Sequence, residues 1–156
     1  MSPVDPILAS VLQRRVQAIT HEMATVLMRS SRSPIFNEIG DLVTVLFDRA
    51  GRTLAQTEYA SIIANGAQPP LARIIEYFGD DLADGDVILH NDVFTGGNQN
   101  ADVGVYMPVF HDGELVAWTA SKGHMADIGG MTAGGYDPNA REVWQEAFRI
   151  PPLKLV

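Results

Sequence analysis

The chain has 156 residues, 46% of them hydrophobic, enough for one domain that buries ~70% of its unfolded surface and too apolar for general disorder. Nineteen acidic against eleven basic residues give a net charge of −8, which argues against a nucleic-acid or anionic-membrane surface. The absence of cysteine excludes disulfides, thiolate nucleophiles and cysteine metal clusters. No run approaches the ~20 apolar residues of a membrane span, and the opening MSPVDPILAS lacks a basic segment followed by an apolar one. A soluble cytoplasmic protein is the expectation.

Asp5-Pro6 is a helix start: Asp5 can cap free amides, and Pro6 at the first helical position loses nothing. Apolar residues then recur with helical spacing from Ile7 to Leu27, which predicts a helix over Pro6–Arg29. Ser30-Ser31-Arg32-Ser33-Pro34 ends it, and His21 inside it reads as structural. A hairpin follows, Leu42–Asp48 and Arg52–Gln56, whose first strand is apolar enough for burial on both faces. Tyr59 to Gln68 reads as loop or short strand. Pro69-Pro70 opens a helix carrying Leu71, Ile74, Ile75 and Phe78, closed by Gly79. Asp80 to Asp86 reads as a solvated acidic turn without the spacing of a calcium loop, and Asp86–His90 as a short strand.

A second hairpin is predicted from Val103–Phe110 and Glu114–Ser121, turning through His111-Asp112-Gly113. Folding it back brings Asp102 and His124 to one open end, within reach of one small ligand. Nine of the fourteen glycines lie between Gly96 and Gly135, and the pairs Gly96-Gly97 and Gly129-Gly130 frame that end. Glycine pairs there fit either tight turns or a backbone approaching a ligand. The spacing matches neither a dinucleotide fingerprint nor a P-loop. Ser121-Lys122 near His124 lacks the contexts of a serine hydrolase, GxSxG or SxxK. Asp102, His124 and Asp127 are the best metal-ligand set, with Asp41, which opens the first hairpin, as a further candidate. Arg141–Arg149 reads as an amphipathic helix, and the apolar, proline-braced ending Ile150–Val156 as a segment that continues into more structure. The element order argues for α+β: a long N-terminal helix with mainly antiparallel hairpins in a sheet.

These motifs carry a family resemblance. NDVFTGGNQNADVGVYMPVFHDGELVAWTASKGHMADIGG resembles the stretch of hydantoinase B/oxoprolinase proteins that usually reads NDPYxGGTHxxDVxxxxPVFxDGELVAFxAxxxHHxDIGG. The opening DPIxxxVLxxRxxxIxxEMxxxLxRSSxSPxxxExxD and the closing IPPxKL match as well, so the resemblance covers essentially the whole chain. It implies that residues 1–156 form the N-terminal part of a hydantoinase B-like subunit. That subunit would belong to an ATP-dependent amidohydrolase of cyclic amides, of the hydantoin or 5-oxoproline type. The related functions are an ATP-dependent ketone carboxylase, of the acetone or acetophenone type, and a truncated, non-catalytic subunit. The implied partner is a hydantoinase A-like subunit, which uses ATP to phosphorylate the substrate's oxygen, with a further B-type segment as another possible partner. The implied cofactor is a divalent metal (Zn, Mn or Mg) held by Asp41, Gln99, Asp102 and His124. At one of these positions the chain departs from the pattern: GGTHxxD is GGNQNAD here, so Gln99 stands where histidine is usual, and an amide oxygen suits harder ions than zinc.

Overall fold

The computed structural model describes residues 5–156, and the expectation concerning Met1–Val4 lies outside them. Helix α1 spans Pro6–Ser30. Asp5 caps it by accepting from the Ile7 amide at 2.9 Å, and the extended Ser31 stops it. A π-helical turn, Ile35–Ile39, then leads through Gly40, at φ +72, into strand β1, Leu42–Asp48.

Strand β2 (Thr53–Gln56) turns back on β1, as the hairpin pattern predicts. Tyr59 to Gln68 instead contains a short helix, α2 (Ser61–Asn65), followed by α3 (Gln68–Phe78). The sequence there has no helical period long enough to detect. Ile63, Ala64 and Ala67 adopt the turn because tertiary packing buries them beneath the sheet. Strand β3 (Ile88–His90), strands β4 (Asp102–His111) and β5 (Glu114–His124), helix α4 (Val143–Glu146) and strand β6 (Leu153–Lys154) complete the chain. Among the described residues the strands form one antiparallel sheet in the order β2-β1-β5-β4-β3-β6, so the architecture is α+β as expected.

The sheet is covered differently on its two faces. Val43, Val45, Phe47, Tyr106, Trp118 and Ala120 pack on one face against Ile63, Leu71 and Ile74 of α2 and α3. Each fully buried aliphatic side chain there contributes about 1.5–3 kcal/mol. On the other face α1 lies over β1, where Thr44 Oγ1 donates to the Thr20 carbonyl at 2.6 Å and Ala24 meets Phe36 and Leu42. That contact covers only part of α1, and Ile7, Leu8, Val11, Leu12, Ile19 and Val26 stay exposed. Strand β4 runs on past β3, which pairs only with Gly104 to Tyr106.

Two expectations need correcting. Asp86 is buried rather than solvated: it accepts from the Ala83 amide and pairs with Lys154 at 3.0 Å. The helix expected over Arg141–Arg149 is a single turn, because Ala147 is already extended and the chain is claimed by the neighbouring loop. Asn91 accepts from the Ile150 amide and donates to the Phe148 carbonyl, while Arg149 makes a bidentate pair with the buried Asp92. Burial raises the Asp92 pKa, but the Arg149 and Phe94 hydrogen bonds outweigh it and hold the carboxyl below its ordinary value. Of the two readings open for the glycine pairs the structure shows the tight turns, with Gly96, Gly129 and Gly130 at positive φ, and the pairs pack backbone on backbone. A Cβ on Gly97 would stand 2.7 Å from the Asn91 carbonyl, and one on Gly130 2.6 Å from that of Glu146.

Candidate functional site

The geometry of the β4–β5 hairpin decides where the candidate residues lie. Asp112 and Gly113 both have positive φ and make a two-residue turn, with His111 facing Glu114. Phe110 faces Leu115 but Val109 faces Ala117, so Val116 is an extra, bulged residue. Without that bulge Asp102 would oppose Gly123. With it, Asp102 opposes His124, the juxtaposition expected from the sequence.

At that end His124 Nδ1 lies 2.9 Å from Asp102 Oδ1. Gln99 Nε2 lies 2.8 Å from the same oxygen and 3.2 Å from His124 Nδ1. Asp102 is fully buried and the His124 side chain is 14% exposed. The His124 amide donates to the Asp41 carbonyl at 3.0 Å, the Met125 amide to that of Ala101 at 2.8 Å, and the Tyr136 ring stacks parallel to His124 at 6.2 Å. The backbone thus ties the end of the hairpin to both loops that border it.

Of the residues singled out from the sequence, Asp102, His124 and Gln99 come together. Asp41 meets the cluster through its backbone. Among the described residues no three His, Asp or Glu side chains approach closely enough to share an ion, so the Asp41 carboxylate does not complete such a group in this structure. Asp127 serves its own glycine loop, accepting from the amides of Gly129 and Gly134 at 2.9 and 3.2 Å.

The donor set nevertheless fits a divalent ion. Asp102 Oδ1, His124 Nδ1 and the end of the Gln99 amide form a triangle with edges of 2.9, 2.8 and 3.2 Å. Adjacent ligands of an octahedral ion at ~2.1 Å stand about 3.0 Å apart. The Gln99 oxygen and nitrogen exchange by a half-turn, which presents the oxygen as the third donor. Because the ionised Asp102 carboxylate only accepts, Nδ1–H donates to it at 2.9 Å in the metal-free chain, and a cation bound there would take the place of that proton.

A further residue joins the site that the sequence did not single out as part of it. Lys122, two positions before His124 on β5, is 1% exposed, and its ammonium donates to the Gly66 carbonyl at 2.8 Å and to Asn98 Oδ1. Asn98 Nδ2 in turn donates to Asp102 Oδ2. Burial lowers the Lys122 pKa to about 8, against the opposing pull of Asp102. A basic residue on a buried strand was the only signal available, and its partners come from residues 24 and 56 positions away.

Comparison with known proteins places the architecture. The family model for hydantoinase B/oxoprolinase matches residues 5–156. The chain is 41% identical over 155 residues to the caprolactamase subunit beta of Pseudomonas jessenii, covering 99% of this chain and 27% of that subunit. The crystal structure of the ATP-dependent caprolactamase from the same organism superposes with a TM-score of 0.91 at 40% identity, over 99% of this chain and 27% of that one. The 5-oxoprolinase of Dictyostelium discoideum is 34% identical over 98% of this chain and 12% of its own length. The acetophenone carboxylase delta subunit of Aromatoleum aromaticum (strain DSM 19018 / LMG 30748 / EbN1) is 30% identical over 97% of this chain and 22% of its own length. The chain thus spans about a quarter or less of these relatives, and it belongs to the hydantoinase B/oxoprolinase family.

Proposed function

We propose that the chain is the N-terminal part of a B-type subunit of an ATP-dependent hydrolase of cyclic amides, and that Asp102, His124 and Gln99 hold a divalent metal with Asp41 at their border. The observation that carries this reading is the triangle of three donors at the open end of the β4–β5 hairpin. A carboxylate oxygen and an amide oxygen beside a single imidazole nitrogen suit a harder ion such as Mn or Mg better than Zn. A divalent ion held there supplies Lewis acidity at neutral pH. Asp102 contributes the charge, His124 a nitrogen donor whose ring is steadied by Tyr136, and Gln99 a neutral oxygen. Burial of Asp102 keeps water from competing for its oxygens.

ATP is used by a hydantoinase A-like partner subunit to activate the amide carbonyl, in the cytoplasm. The caprolactamase relative, named as a beta subunit and as ATP-dependent, supports this division of labour. The acetophenone carboxylase relative favours a second reading, a subunit of an ATP-dependent ketone carboxylase.

The test is titration of the full chain with MnCl2, MgCl2 and ZnCl2, followed by elemental analysis. One ion per chain is expected, lost in Asp102→Asn and His124→Ala. Retention of stoichiometric metal by His124→Ala overturns the site. Assay of the chain with its A-type partner separates the reactions: ring opening of a lactam with ATP supports the hydrolase, and bicarbonate-dependent consumption of a ketone supports the carboxylase.

A further inference from the structure

The geometry points to Lys122 as a positioning residue that orients Asp102 through Asn98. An ammonium carries donors only, and an ionised carboxylate carries acceptors only. An amide between them therefore has one workable orientation, Oδ1 toward Lys122 and Nδ2 toward Asp102, and this is the orientation observed. Lys122 is itself fixed by the Gly66 carbonyl at 2.8 Å. Asp102 Oδ2 is thus occupied by Asn98, and Oδ1 is left to face His124 and Gln99.

Gly66 has a second part in this arrangement. A Cβ there would lie 2.9 Å from Asn98 Cγ and 3.0 Å from its Oδ1, so an alanine would push Asn98 off the line between the two charges. The backbone of Gly66, at φ −84, accepts alanine without strain. Gly104, directly across β4 from Lys122, adds no side chain to the face that Lys122 occupies, and a Cβ there would meet the Tyr106 ring at 2.6 Å.

The proposal rests on Asp102 and His124 as the working pair of the site, and the test is arranged to fail separately from the metal reading. The probe is the His124 Nδ1–H proton of the metal-free, 15N-histidine-labelled full chain. Hydrogen-bonded to a buried carboxylate, it resonates far downfield and exchanges slowly. Asn98→Ala, Gly66→Ala and Lys122→Met are each expected to lose this resonance while the His21 and His111 signals stay in place. Lys122→Arg, which restores a donor-only cation, is expected to keep it. A folded Asn98→Ala or Gly66→Ala chain with the resonance unchanged overturns the proposal, as does its absence from the unaltered chain. Should Lys122→Met fail to fold, the other two variants decide, since both leave the two charges in place. Failure of the unaltered chain to bind Mn2+ defeats the metal reading and leaves this result standing.

Discussion

His90 is fully buried, with Nε2 held at 2.8 Å from Thr95 Oγ1 and Nδ1 without a hydrogen-bond partner among the described residues. Burial first, and then the positive charge of Lys122, lower its pKa from 6.5 to about 4, with Asp92 and the Thr95 hydrogen bond only partly opposing them. The folded chain therefore keeps His90 neutral where the unfolded chain protonates it. Between pH 6.5 and about 4 the unfolded state binds the extra proton, so stability falls as the pH falls through this window, by on the order of 3 kcal/mol from this group. Urea unfolding at a series of pH values checks this. Replacement of His90 by Gln is expected to flatten the slope between pH 4 and 6.5, and an unchanged slope contradicts it.

At the level of elements, the hairpin bulge makes deletions along β5 unequal. Removal of Val116, half exposed, turns β4–β5 into a regular ladder and leaves Asp102 opposite His124. Removal of Thr119 is different: keeping the site end in place forces the segment before it to shift by one residue, which swings Trp118 to the opposite face. Trp118 is fully buried. In a Trp144→Phe background, deletion of Thr119 is expected to shift tryptophan emission to the red and to lower the thermal midpoint. Deletion of Val116 is expected to do neither, and a red shift from it contradicts the assignment of the bulge. Much of this level could be read from residue order alone. The capped, periodic α1 and both hairpins are local patterns, and turn counting put Asp102 near His124. What stayed illegible depends on distant contacts. The short α2 exists because the sheet covers Ile63 and Ala64, and α4 stops because Asn91 and Asp92 take the chain beyond it. Lys122 looked like an ordinary strand residue, since its partners Gly66 and Asn98 are remote in sequence.

Taken as a whole, the molecule leaves one helix half clothed. Leu8, Leu12 and Val26 of α1 stand more than half exposed, and Ile19, Met23 and Leu27 line a groove beside Ser121 of β5. Contiguous apolar surface of this kind is unusual on a chain that stands alone. The chain is expected to bind a hydrophobic dye in the folded state. A triple replacement of Leu8, Leu12 and Val26 by Gln should reduce that binding without lowering the thermal midpoint. Dye binding that survives the replacement would assign the exposed surface elsewhere. Among the described residues no helix is long and apolar enough to cross a membrane.

The overhang of β4 beyond β3 has its own consequence. From Met107 to His111 the side of β4 away from β5 is not paired with β3, and open backbone of this kind templates intermolecular strand addition. Pro108 sits within that overhang and has no amide hydrogen to offer. Strand β3 can therefore remain three residues long without inviting a foreign chain to extend the sheet, because the overhang carries its own guard against fibril growth.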